Sequence, residues 1–136
     1  MEKVSILVPT RQRYKKLGKC LQLLFKNTNY PNYEIVIIAD RDDPKSLEII
    51  NKFNQDKIKV FILETRQMYT GKTNFAFHNT SAPLFVFLAD DVEVQPNWLT
   101  EAIKTFNESF PDGMGLVSFN DEFGDALAPH GLISRT

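Results

Sequence analysis

The chain has 136 residues, 43% of them hydrophobic and 24% charged, a globular balance at a length that suits one domain. Sixteen basic residues face seventeen acidic ones, so a net charge of −1 offers no global field for nucleic acid or an anionic membrane. A single Cys and two His exclude a disulfide framework, a Cys-based zinc module and the usual His-rich metal centres. No apolar run approaches the ~20 residues of a transmembrane helix. The start, with Glu2 and Lys3 before a short apolar stretch, does not resemble a secretion signal. A cytoplasmic protein with no transmembrane segment is the expectation.

Lys3 to Pro9 carries Val4, Ile6, Leu7 and Val8, a short β-rich run stopped by proline. Tyr14 to Asn27 places Tyr14, Leu17, Leu21, Leu24 and Phe25 at helical spacing. Tyr33 to Ala39 is apolar on both faces through Ile35, Val36, Ile37 and Ile38, the pattern of a buried parallel strand. Asp43-Pro44 predicts a helix start, with Asp43 as the capping acid and Leu47, Ile50 and Phe53 facing inward. Ile58 to Leu63 is a third strand, Gly71 to Asn79 a helix and Leu84 to Leu88 a fourth strand. Pro96-Asn97 opens the clearest helix, with Leu99, Ala102, Ile103, Phe106 and Phe110 on one stripe. Gly115 to Phe119 is a fifth strand, Asp121 to His130 a loop, and Leu132-Ile133 a candidate short strand.

This alternation predicts an α/β fold. It is Rossmann-like, with a mostly parallel sheet of about five strands and helices on both faces. Ligands of such sheets bind beyond the carboxyl ends of the strands. Three acidic clusters stand there: Asp40, Asp42 and Asp43; Asp90, Asp91 and Glu93; Asp121 and Glu122. Arg11, Arg13, Arg41, Arg66 and Lys72 lie in the same tier. Carboxylates are hard donors for Mg²⁺ or Mn²⁺, and Arg and Lys neutralise phosphate, so the mixture suits a metal carrying a phosphorylated ligand.

Turn and cap roles compete with that reading. Asp43 is explained by capping, and Asp121 and Glu122 by a solvated loop. Asp90-Asp91 is harder to explain blandly. Adjacent carboxylates after an apolar strand repel unless a cation or donor compensates. Gly71-Lys72-Thr73 is not a phosphate-binding loop, because Arg66 stands where the first glycine is needed, although Lys72 at a helix start can still meet phosphate. There is no G-x-G-x-x-G and no G-x-S-x-G, and Cys20 falls on the inner face of the first helix. Trp98 reads as packing.

Together these segments resemble the family 2 glycosyltransferases with the GT-A fold. Val4 to Arg13 looks like that family's first strand and "P-T-Y-N-R" turn. Glu34 to Asp40 with Leu47 to Ile50 is similar to its second strand, "V-D-D-G-S" loop and helix. Phe85 to Val92, then Pro96-Asn97-Trp98-Leu99, resembles "F-L-D-D-D … P-x-W-L". The resemblance implies a nucleotide-diphosphate sugar as donor, a UDP-sugar first, and a sugar acceptor that the residues do not name. By the same resemblance Thr10 to Arg13 line a base pocket and Asp40 accepts a hydrogen bond from uracil or ribose. Asp91 holds Mg²⁺ or Mn²⁺ in a DXD-like motif, Asp90 meets ribose or a metal-bound water, and Lys72 offsets diphosphate charge. Arg11 replaces the usual aromatic, while Ala39 and Ala89 replace two carboxylates of the family pattern. Family domains continue for about another hundred residues, which carry the acceptor site and general base. Residues 1–136 are therefore expected to form a single donor-binding domain lacking that half, with no assigned catalytic residue and with self-association as a further expectation. The alternative is a non-catalytic module of the same fold that binds nucleotide or a partner chain. A nucleotidyltransferase is disfavoured because Thr10 to Tyr14 holds no glycine.

Overall fold

The computed structural model describes residues 2–118 and 131–135. In chain order the elements are β1 (Val4–Pro9), α1 (Tyr14–Asn27), β2 (Tyr33–Asp40), α2 (Pro44–Ile50) and β3 (Ile58–Leu63). They continue with α3 (Tyr69–His78), β4 (Leu84–Phe87), α4 (Trp98–Ser109), β5 (Leu116–Ser118) and β6 (Gly131–Ser134). The six strands form one sheet in the order β3-β2-β1-β4-β6-β5. The first four strands of that order run parallel, with Val4 opposite Tyr33 on one side of β1 and Leu84 on the other. β6 pairs antiparallel with both β4 and β5. The expected fifth strand is thus an antiparallel edge strand, and Leu132-Ile133 belongs to the strand that joins it to the sheet.

Period-two alternation divides the strand residues between two cores. Val4, Ile6 and Val8 of β1, with Ile35, Ile37 and Ala39 of β2, face a cluster completed by Leu17, Cys20, Leu21 and Leu24 of α1, Ile50 of α2 and Leu99, Ala102 and Phe106 of α4. Leu7, Val36, Ile38 and Phe85 face the other way, against Ala76 and Phe77 of α3. Helices therefore cover both faces, as the doubly apolar run of β2 requires. Cys20 is a core thiol, its pKa pushed up to about 12 chiefly by burial. Trp98 packs against the larger cluster and donates its indole N–H to Thr28 Oγ1 at 2.8 Å. Arg135, just past β6, stacks on Phe77 and Phe85 and donates to the carbonyls of Phe77 and Ala82.

Two differences from the sequence reading bear on the site. α3 begins at Tyr69, ahead of Gly71, so Lys72 lies inside its first turn. Asp43 does occupy the N-cap position of α2, with Pro44 following, but its side chain makes no cap hydrogen bond. Its Oδ2 instead accepts the backbone N–H of Gln12 at 2.6 Å. That contact fixes the β1–α1 turn, where Gln12 takes a left-handed φ of 53°.

Candidate functional site

The chain leaves β1 for β2 on one side, and β4 lies against β1 on the other, so strand order reverses beside β1. The loops after β1 and β4 diverge there and open the crevice in which ligands of parallel sheets bind. The parallel ladder runs on past the strands and carries the loop residues with it. Thr10 N–H bonds to Ile38 O, Arg41 N–H to Leu63 O and Leu88 N–H to Leu7 O, each within 3.0 Å.

A cleft of about 220 Å³ occupies this crevice. Its lining includes Thr10, Arg11, Arg13, Arg66, Lys72 and Asp90. Thr10, Arg11, Arg13, Lys72 and Asp90, each given a role by the family resemblance, thus line one cavity. Asp40 backs it, 2% exposed, through Arg11 and Lys72. Asp91 stands at the rim, its side chain 44% exposed, on a guanidinium of Arg13. Arg66, which the sequence places in the basic tier, joins the lining together with Gln67 and Met68, which carry no motif signal. Asp121, Glu122 and His130 lie outside the described residues.

Two charge networks hold the floor. In the first, Lys72 Nζ, buried in α3, donates to Asp40 Oδ2 and to the Thr10 carbonyl, each at 2.8 Å. Arg11 adds a second donor to Asp40 Oδ2 at 2.8 Å and forks onto both oxygens of Asp42. These bonds raise the Arg11 pKa, while Arg11 holds the Asp42 carboxyl below its usual 3.8. Asp40 Oδ1 is buried and has no hydrogen-bond partner among the described residues. Such an orphan acceptor is costly unless a donor reaches it.

In the second network Asp90, 3% exposed, accepts Thr10 Oγ1–H on Oδ2 at 2.9 Å and meets Arg13 Nη1 with Oδ1 at 3.1 Å. The other Arg13 nitrogen reaches Asp91 Oδ2 at 3.0 Å. The compensation that two adjacent carboxylates demand comes from within the chain, from Arg13 and Thr10. Burial raises the Asp90 pKa above 3.8, opposed by the Thr10 hydrogen bond and by Arg13, with Asp91 adding to the rise. A carboxyl whose folded pKa exceeds its unfolded one gains proton affinity on folding, so its charged form costs stability increasingly as pH climbs through that interval. The unfolding free energy of Asp90→Asn minus that of wild type is therefore expected to increase from about pH 3 to about pH 7. Parallel urea melts check this, and a difference that is flat or falls with pH contradicts it.

Among the described residues no group of three His, Cys, Asp or Glu side chains could cage a metal. Asp90 has both oxygens engaged, which leaves Asp91 as the accessible carboxylate at the rim. A single hard oxygen ligand suits Mg²⁺ or Mn²⁺ only where phosphates and water complete the shell. The donor set therefore fits a diphosphate-borne ion and does not fit one held by protein alone.

A parallel sheet with an acid- and base-lined cleft at its switch point is the arrangement in which α/β proteins bind ligands. Residues 5–130 match glycosyl transferase family 2, so the chain belongs to that family. The O-antigen biosynthesis protein RfbC of Myxococcus xanthus is 27% identical over 103 residues, 74% of this chain and 8% of that protein. A dolichyl N-acetyl-α-D-glucosaminyl phosphate diacetamido-dideoxy-glucuronosyltransferase of Methanococcus voltae is 31% identical over 113 residues, 78% of this chain and 34% of that one. In structure, the Pyrobaculum calidifontis mannosyltransferase PcManGT, in complex with GDP-Man and Mn²⁺, aligns at TM-score 0.81 and 14% identity over 96% of this chain and 44% of its own. S. aureus TarS 1–349 with UDP-GlcNAc aligns at 0.69 and 26% identity over 78% and 31%. The fold is thus the GT-A fold, and the chain spans less than half the length of each of these relatives. No helix among the described residues is long and apolar enough to cross a membrane.

Proposed function

We propose that the cleft binds the nucleoside diphosphate part of a nucleotide sugar, a UDP-sugar first, and that the chain is the donor-binding domain of a glycosyltransferase. The observation that carries this reading is the convergence of Thr10, Arg11, Arg13, Lys72 and Asp90 on one cavity at the switch point. Family membership supports glycosyl transfer as the reaction class. Relatives of this fold are seen with UDP-GlcNAc and with GDP-Man and Mn²⁺.

In this reading Arg13 and Arg66 meet phosphate oxygens from opposite sides of the cleft. Lys72 is held on Asp40 and contributes positive charge from beneath rather than as a mobile arm. Asp40 Oδ1, still without a donor, is the acceptor that a base N–H or a ribose hydroxyl would satisfy once Arg11 gives way. Arg11 then offers its planar face to the base in place of the family's aromatic. Asp91 would hold the Mg²⁺ or Mn²⁺, which when bound offsets charge on the leaving diphosphate.

The alternative, a non-catalytic nucleotide-binding module, is favoured by a specific feature. Among the described residues Asp40, Asp42, Asp90 and Asp91, the carboxylates in and beside the cleft, are all engaged by Arg, Lys or Thr. None of these four stands free to deprotonate an acceptor hydroxyl.

Calorimetric titration with UDP and GDP, with and without Mn²⁺, tests donor binding. Saturable binding strengthened by Mn²⁺ is expected, and Asp91→Ala is expected to weaken the Mn²⁺-dependent part by at least about tenfold. Folded wild type that binds neither nucleotide would overturn the reading. Release of nucleotide from UDP-GlcNAc or GDP-mannose, measured alongside, separates the enzyme from the binding module.

A further inference from the structure

Arg13 is tied to both carboxylates that follow β4. It bridges Asp90 Oδ1 and Asp91 Oδ2 with its two terminal nitrogens, at 3.1 and 3.0 Å. Its side chain is 42% exposed, so it can leave without unpacking the core. Asp90 keeps the Thr10 hydroxyl when it does. Among the described residues Asp91 keeps no other side-chain hydrogen-bond or ion-pair partner.

The geometry points to Arg13 as an internal counter-ion that competes with a divalent cation for Asp91 and makes metal binding conditional on the diphosphate. Rim and ligand charge explain why. In the empty cleft a metal ion must approach a guanidinium already seated on its one accessible carboxylate, and like charges there repel. A diphosphate reverses the balance. It offers Arg13 phosphate oxygens of matching fork geometry, and it brings the oxygens that the metal shell lacks. Arg13 swings from Asp91 to phosphate, and Asp91 is released to the cation at the same moment. Metal and diphosphate therefore bind with positive coupling, each strengthening the other by the same factor. Arg13 is in this sense a positioning residue whose role is exchange between two anions. The inference rests on the donor-binding reading of the same cleft.

Mn²⁺ binding, followed by the loss of its free-ion electron paramagnetic resonance signal, tests this without recourse to activity. The probes are Mn²⁺ alone, UDP alone and the two together, on wild type, Arg13→Gln and Arg13→Lys. Arg13→Gln is expected to bind Mn²⁺ alone about fivefold or more tightly than wild type, while the gain in Mn²⁺ affinity on adding UDP shrinks. Arg13→Lys keeps the charge but replaces the planar fork with a point charge that matches the two carboxylates less well, so its Mn²⁺ affinity should lie between the two. A merely structural Arg13 would weaken every ligand alike and would not tighten Mn²⁺. Far-ultraviolet circular dichroism checks that the variants fold; if Arg13→Gln does not, Arg13→Lys decides alone, tighter Mn²⁺ binding supporting the inference and unchanged or weaker binding overturning it. Wild type that binds UDP with Mn²⁺, paired with a folded Arg13→Gln that binds Mn²⁺ alone no better, sinks this inference and leaves donor binding standing. Wild type that binds no nucleotide under any condition sinks both.

Discussion

Lys72→Met is expected to destabilise the protein by about 3 kcal/mol, the lower end of the range for removing one member of a buried ion pair. Lys72 and Asp40 are almost fully enclosed, with side chains 4% and 3% exposed. Removing the ammonium strips Asp40 Oδ2 of one of its two donors and leaves the Thr10 carbonyl without its lysine. Asp40 Oδ1 already lacks a partner, so the carboxylate would retain Arg11 alone. That remaining contact is why the low end applies. A fall in melting temperature of roughly 10 °C is the corresponding readout for a domain of this size. The double variant Lys72→Met/Asp40→Asn should recover part of the loss, because the uncompensated charge goes with the lysine. A single variant that melts within about 2 °C of wild type would show that the pair is not the buried anchor described here.

Phe106→Ala should cost about 3–5 kcal/mol for a different reason. Phe106 is 1% exposed and belongs to the larger core beneath the sheet. Its ring lies 5.5 Å from that of Phe110, which a cavity would leave without its neighbour. Transfer free energy and the residual void both contribute. Phe106→Leu keeps most of the volume and should lose less than about half as much. Chemical denaturation distinguishes the three proteins, and equal midpoints for Phe106→Ala and wild type would contradict the packing described.

These effects separate what the linear pattern revealed from what it hid. Ile35 to Ile38, apolar on both faces, was readable as a buried strand because hydrophobic burial acts on each residue locally. The stripe from Leu99 to Phe106 was readable for the same reason. The fourth strand of the parallel set and its Asp90-Asp91 ending marked the site. Partner choice was not readable. Asp43 sits at the cap position its sequence predicts, yet its carboxylate serves Gln12 across 31 positions, because the β1–α1 turn presents an N–H there. Lys72 reads in the sequence as a residue that can meet phosphate, and its hold on Asp40, 32 positions away, has no linear signal. The need for a cation at Asp90-Asp91 was visible from like-charge repulsion, but that Arg13 supplies it depends on β1 and β4 being neighbours. Strand order, not local propensity, creates that contact. Met68 at the cleft rim, 72% exposed, had no sequence signal because its placement follows from the path of the β3–α3 loop.

Backbone amide resonances, followed by nuclear magnetic resonance during titration with UDP and Mg²⁺, test the donor cleft most directly. The expected result is saturable shifts concentrated in Thr10 to Arg13, Asp40 to Asp43, Arg66 to Lys72 and Ala89 to Asp91, the loops at the carboxyl ends of β1, β2, β3 and β4. Shifts that saturate elsewhere on the molecule, or none at millimolar nucleotide, would contradict a nucleotide-diphosphate site at the switch point.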